Sequence, residues 1–343
     1  MAYTTNNKST DYFNTKLWSG NGSSQALTGV GHQTDMAWIK SRTDTRKHNM
    51  YDVVRGVQKR IVPNDSVAED TVPGITAFGT DGFTVGSETD TNGSSRNFVG
   101  WSWKAGAGQG SSNTDGSINT TYTSANTTAG FSIIKYTGNG TANATIGHGL
   151  GVEPAMIFFK RTDSANNWIV YQKTMGTGHY LTLNTSGTKD SASGAWCTPS
   201  STLIQLNQVF GATNTNYATY IAYCFAEKTG YSKFGSYSGN SNADGSFIYL
   251  GFKPSFIMVK RTDTGNSYDN WIIYDNKRSG YNVDNDRLHA DISDAENTDN
   301  TIDIVSNGFK IRSANSNLNG GTHIYMAFGQ SLVGSNNVPC TAR

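Results

Sequence analysis

The chain repeats itself three times along its length, and a unit that recurs has to fold alike at each occurrence, which constrains the architecture more than any other feature. An aromatic residue followed by Ser or Thr and then Gly-Asn occurs as Trp18-Ser19-Gly20-Asn21, Tyr136-Thr137-Gly138-Asn139 and Tyr237-Ser238-Gly239-Asn240. An apolar run ending in lysine follows each: Met36 to Lys40, Met156 to Lys160 and Phe256 to Lys260. Such runs are rich in aromatic and β-branched residues and too short for helices, so they read as strands buried on both faces. Asn167 to Tyr171 and Asn270 to Tyr274 form the next strand, matched more loosely by His48 to Asp52. Each copy closes on an alternating strand: Val99, Trp101 and Trp103; Ile221, Tyr223 and Phe225; Ile324, Met326 and Phe328. A period of two puts each trio on one face of a sheet.

Two further landmarks are shared. Gly82 to Val85 and Gly308 to Ile311 mark a turn and strand, with Leu203 to Leu206 as their counterpart. Arg60 followed by Ala68-Glu69-Asp70-Thr71 returns as Arg287 followed by Ala295-Glu296-Asn297-Thr298, and the second copy lacks this acidic segment. The fold class expected is all-β: three tandem β-sandwich repeats of about 100 residues each, near the usual size of one domain. The boundaries are 1–106, 131–230 and 231–343. Residues 107–130 are almost devoid of apolar side chains and read as a Gly/Ser/Asn/Thr-rich flexible linker, which would leave the first copy self-contained on a tether. In the Gly-Asn landmarks, tolerance of positive φ is the expected reason for the residue choice.

Charge limits the partners. Lys and Arg number 27 against 26 Asp and Glu. That balance lacks the electrostatic footprint of nucleic-acid binding, and no apolar run is long enough for membrane insertion by a helix. Met1 to Lys8 carries no charged start and apolar stretch of a secretory signal, so synthesis and assembly in a cytosol are expected. Cys197, Cys224 and Cys340 form neither a Cys-x-x-Cys pair nor an even framework, and Cys224 reads as a small buried residue.

Catalytic, cofactor-binding and metal-ligating residues are all expected to be none. Gly147 to Gly151 fits neither phosphate-binding glycine spacing and reads as a hairpin turn. His32, His48, His148, His179, His289 and His323 are scattered, without metal-ligand spacing. Acidic residues between 284 and 303 (Asp284, Asp286, Asp291, Asp294, Glu296, Asp299 and Asp303) could approach Ca2+, but lack the ordered spacing of an EF-hand loop and read as a solvated loop. Seven Trp and seventeen Tyr offer surfaces for stacking on sugars or proteins, although Trp38, Trp101, Trp168 and Trp271 recur at strand positions and read as core.

Trp38-Ile39-Lys40-Ser41-Arg42, then Met50 to Val57, Ile75 to Gly86 and Phe98 to Gly106 together resemble a family of repeat-containing virion structural proteins of tailed bacteriophages, common among marine hosts. The resemblance is closest over residues 12–106 and weaker through the later copies. It implies a tail-fibre-like structural component of the virion, assembled in the host cytoplasm, and carries no catalytic residue. Expected partners are other virion proteins and further copies of the chain in a homo-oligomer. Capsid-surface decoration and attachment to a host surface glycan are the alternatives.

Overall fold

In the computed structural model the chain is described over residues 4–266, 268–279, 282, 286–298 and 302–333. It is built almost wholly from antiparallel strands, and among the described residues its α-helices are the single turns Thr89–Asn92 and Ser316–Asn319. One strand order occurs three times. In the first copy an opening strand (Phe13–Ser19) pairs with the closing strand (Asn97–Trp103), which pairs with the lysine strand (Met36–Ser41), which pairs with Asn49–Asp52. The second copy follows the same order with Phe131–Thr137, Thr219–Phe225, Met156–Arg161 and Ile169–Gln172. The third does so with Ser232–Ser238, Thr322–Gln330, Lys253–Arg261 and Ile272–Asp275. Equivalent residues even face equivalent partners, with Trp38 opposite Trp101, Phe158 opposite Tyr223 and Met258 opposite Met326.

A small three-stranded sheet lies over one face of each large sheet: Gln25–Thr28, Gly82–Val85 and Ile75–Gly79 in the first copy, with counterparts centred on Leu203–Leu206 and Gly308–Ile311. Period two divides the side chains of the large sheets accordingly. Phe98, Ala37 and Ile39 face the local core of copy one, Ala222, Phe159 and Tyr220 that of copy two, and Ala327, Val259 and Tyr325 that of copy three. The opposite faces do not form three separate cores. Trp101 and Trp103, Tyr223 and Phe225, and Met326 and Phe328 meet in one cluster shared by all three copies. Phe13 stacks on Phe328 with ring centroids 5.5 Å apart, and Trp103 meets Phe225 at 6.4 Å and Phe256 at 5.5 Å.

This corrects the expectation of a tethered, self-contained first copy. The segment 107–130 is not a loose linker. The carboxylate of Asp35 accepts the backbone N–H groups of Ala105, Ala107 and Gly108 at 2.8, 3.0 and 3.1 Å. Gln109 donates to the Val54 carbonyl, Ser111 bridges to Thr123, and Tyr122–Asn126 adds an edge strand to the second large sheet. Its anchors are mainly hydrogen bonds made by backbone groups, backed by the buried side chains of Ile118, Thr120, Ser124 and Ala129, and composition alone does not reveal such backbone pairing.

Gly147 to Gly151 is likewise not a hairpin turn. It leaves Ala144–Gly147 in a small sheet for Met156–Arg161 in a large one, so its flanking strands do not pair with each other. The second copy does keep the ribbon seen at Arg60 and Asp70, as Tyr180 paired with Asp190; its arginine is replaced by Tyr180 and its glutamate by Lys189, which stands where Glu69 and Glu296 do.

The Gly-Asn landmarks are set by close approach. A Cβ on Gly20, Gly138 or Gly239 would collide with the backbone of Gly93, Thr215 or Asn319. The positive φ falls two residues later, on Gly22, Gly140 and Ser241. The tight approach lets a buried asparagine latch the turn: the side chains of Asn92, Asn214 and Asn319 accept from the N–H of Asn21, Asn139 and Asn240 at 3.3, 3.0 and 3.0 Å.

A fragment of residues 1–106 would present Trp101 and Trp103 to water, so it should show no cooperative thermal transition by near-ultraviolet circular dichroism. In the full chain Trp103→Ala should cost about 3–5 kcal/mol, the usual range for emptying an aromatic core site, measured by urea unfolding. Unfolding in a single transition is the expected form of that result.

Candidate functional site

The polar chemistry inside the molecule gathers at the seams between copies, and it runs in one direction around a closed ring. Position 48 in the first copy is equivalent to 168 and 271. The ring N–H there donates to the same backbone carbonyl of the preceding copy: Trp168 Nε1 to Val62 O at 2.9 Å, Trp271 Nε1 to Thr182 O at 3.1 Å, and His48 Nε2 to His289 O at 2.8 Å. The indole of Trp38 donates to Nδ1 of His48 at 2.9 Å, leaving Nε2 to carry the proton. A backbone bond repeats the cycle, from Glu69 N to Thr162 O, Lys189 N to Thr262 O and Glu296 N to Arg42 O.

The three strand-ending lysines are fully buried at the same seams. Lys160 Nζ donates to the carbonyls of Ser66 and Asn166 at 3.0 and 2.7 Å, and Lys260 Nζ to those of Ser186 and Arg261 at 3.1 and 2.7 Å. Lys40 instead bonds the carbonyls of Ser41 and Asp44 in its own copy. Burial lowers all three ammonium groups to a pKa of about 8. At neutral pH they stay charged because carbonyl dipoles take the place of water.

Two seams add ion pairs. Asp52 binds Arg55 at 2.6 Å and accepts from Tyr223 of the second copy at 2.6 Å. Asp275 binds Arg278 at 2.6 Å and accepts from Trp101 of the first copy at 2.9 Å. Glu296 joins Arg278 to Arg42 of the first copy at 2.9 and 2.6 Å. At the remaining seam Gln172 stands in place of the aspartate and reaches Gly235 O at 3.5 Å.

The residues singled out in the sequence therefore lie apart, in structural roles. All seven tryptophans are buried. His32, His148 and His323 are held by backbone carbonyls or hydroxyls, and burial depresses their pKa, to about 4 for His32 and His323. Cys197 and Cys224 are buried free thiols, raised in pKa by burial, and Cys340 lies outside the described residues. From the acidic stretch, Asp284 and Asp299 lie outside the described residues; Asp286 and Glu296 pair with Arg42, and Asp303 pairs with Arg312 at 2.7 Å. No group of three potential metal ligands forms among the described residues.

The cavity that sequence reasoning missed is in the second copy. Ile169, Tyr180 and Phe210 wall a cleft of about 190 Å3, with Asn166, Asn167 and Gly211 at its rim. Tyr180 and Phe210 pack edge to face at 5.8 Å, and Trp196 braces both from behind at 5.8 and 6.0 Å. In the first copy the same place is filled. Arg60, equivalent to Tyr180, bonds Asn49, equivalent to Ile169, at 3.3 Å and approaches Glu88 and Asp90 at 3.5 and 3.8 Å. The signal available in the sequence was Tyr180 in the second copy, at the position where the first and third copies carry Arg60 and Arg287.

A family model described as a domain of unknown function, DUF7483, matches residues 8–331. The chain belongs to that family. The match runs from before the first opening strand to the end of the last closing strand, so the DUF7483 unit is the whole ring of three copies rather than one of them. Neither the curated proteins nor the solved structures hold a match.

Titratable groups buried within the copies make stability depend on pH in two opposed ways. His32 and His323 are near pKa 4 when folded and near 6.5 when free, so the unfolded chain binds more protons between those values and stability falls as pH drops through that window. Asp291 has the opposite sign. It accepts from Trp271 N at 2.9 Å where the other copies use Asn64 and Asn184, its second oxygen is buried, and desolvation raises it to about 7. Its folded form holds a proton from about pH 4 to 7 that the unfolded form has lost, so its contribution falls as pH rises. Asp291→Asn should raise stability above pH 7, with the gain vanishing below pH 4, by denaturant titrations at several pH values.

Proposed function

We propose that this protein is a structural component of a bacteriophage virion, exposed on the particle as a tail fibre or other appendage and built into it in several copies. The observation that carries the reading is the use made of the residues behind the virion-protein resemblance. Trp38, Trp101 and Trp103 pack in the shared core, Phe83 and Val85 fill the local core of the first copy, and Asp52 and Arg55 form a buried seam pair. Every one of those residues maintains a rigid body, which is what a particle component under mechanical and environmental load requires. The polar, weakly charged exterior suits exposure to solvent among neutral partners.

Decoration of the capsid surface is the second reading. It is favoured by the closure of three copies on one core, which makes a knob rather than a row of modules strung along a shaft. Quantitative mass spectrometry of purified particles should find the chain at a fixed multiple of the major capsid protein. Antibody labelling in negative stain should then fall on the tail for an appendage and over the head for a decoration protein. Particles that lack the chain altogether would overturn both.

A further inference from the structure

The cleft in the second copy occupies the place that Arg60 and its partners fill in the first, and its chemistry is coherent. Three differences separate the open cleft from the site filled by Arg60 and its carboxylates in the first copy: Tyr180 for Arg60, Ile169 for Asn49, and Phe210, four residues ahead of the Asn214 latch, for Glu88, four residues ahead of Asn92. The third copy keeps the arginine as Arg287 and has Ile272 and Asn315 at the other two positions, so the second copy differs from both in placing aromatic rings at 180 and 210, and the outcome is empty space instead of a packed apolar core.

The lining defines what fits. Its walls are aromatic and aliphatic, and none of the residues that line it carries a charge. Carboxamides stand at the rim. The side chain of Asn166 makes no hydrogen bond to the described residues, while its backbone N–H and C=O are held by Ser66 and Lys160. Asn167 uses its oxygen to accept from Asn184 at 3.0 Å, which turns its N–H2 toward other acceptors. A purely apolar ligand would strand these amides, and an ion would find no counter-charge. The space equals that of about six waters at 30 Å3 each, enough for one six-membered ring with its substituents.

We propose that this cleft binds a single neutral pyranose residue of a glycan, its C–H face against Tyr180 and Phe210 and its hydroxyls on the amides of Asn166 and Asn167. Aromatic faces paired with a few placed polar groups are the usual means of orienting such a ligand. The inference stands on the cleft itself and holds whether or not the chain is part of a particle. One weak site per chain gains strength only when many chains act together.

Saturation-transfer NMR on the full-length chain tests it, using methyl glycosides of glucose, galactose and mannose, N-acetylglucosamine, sialic acid as an anionic arm and benzyl alcohol as an apolar arm. At least one neutral glycoside should give transfer, with none to sialic acid. Phe210→Ala should weaken that ligand by about tenfold or more, as expected for loss of one stacking wall worth about 1.4 kcal/mol. Gly211→Val leaves every wall residue in place but sets a side chain beside Asn166, since a Cβ there would already lie 3.2 Å from its Nδ2. It should abolish transfer without changing the thermal transition. Transfer to no neutral sugar, to benzyl alcohol alone, or undiminished in Gly211→Val would overturn the proposal. Particle composition, measured separately, is untouched by any of these outcomes.

Discussion

The shared aromatic cluster is the constraint on which the rest of the molecule depends. Each large sheet has two apolar faces, and a small sheet covers one of them. The other face, carrying Trp103, Phe225 or Phe328 at equivalent positions, can leave water only by meeting the other two. Burying an aromatic side chain of this kind removes on the order of 150–250 Å2 from water, and at about 25 cal/mol per Å2 three sheets together gain far more than any hydrogen bond along the seams. Closure into a ring follows, because an open row of three sheets would leave two faces wet.

Hydrophobic contact is non-directional, so it sets neither the order of the copies nor their angle. The seams supply that information. A ring N–H at 48, 168 or 271 reaches one particular carbonyl of the preceding copy, and each missed bond would strand a donor in the interior. The same holds for the buried lysines, which are tolerable only where two carbonyls converge on Nζ. The copies have since drifted within these limits. His48 replaces a tryptophan, Gln172 an aspartate and Lys189 a glutamate, and each substitute still satisfies its seam or reaches across it. Where Tyr180, Ile169 and Phe210 stand together in the second copy, they leave space instead of a defect.

Local pattern and long-range partnership account for what could and could not be read in advance. The existence of the principal strands in each copy, the faces of the closing strands, the burial of Trp38, Trp101, Trp168 and Trp271 and of Cys224, and the strands at Phe83, Ile204 and Phe309 all follow from periodicity and recurrence, whereas the order of the strands in each sheet does not. The segment 107–130 misled because its anchors are backbone groups held by Asp35, far away in the chain, and polar composition looks the same whether backbone is solvated or paired. Gly20, Gly138 and Gly239 were correctly marked as special but for the wrong cause, since a close approach to another segment leaves no trace in the dipeptide.

By itself, then, the amino-acid sequence determined that there are three copies, that each is a β unit, and which side chains of the principal strands turn away from water. Alternation and repetition are properties of neighbouring residues and survive translation into one dimension. That the inward faces share a single core, that the ring N–H groups of His48, Trp168 and Trp271 clasp the preceding copy in a closed cycle, and that the second copy opens a cleft where the first is filled were decided by the tertiary structure. Those features depend on which desolvated surface finds which partner, and residues more than 100 positions apart, such as Trp168 and Val62 or Tyr223 and Asp52, meet only once the ring has closed.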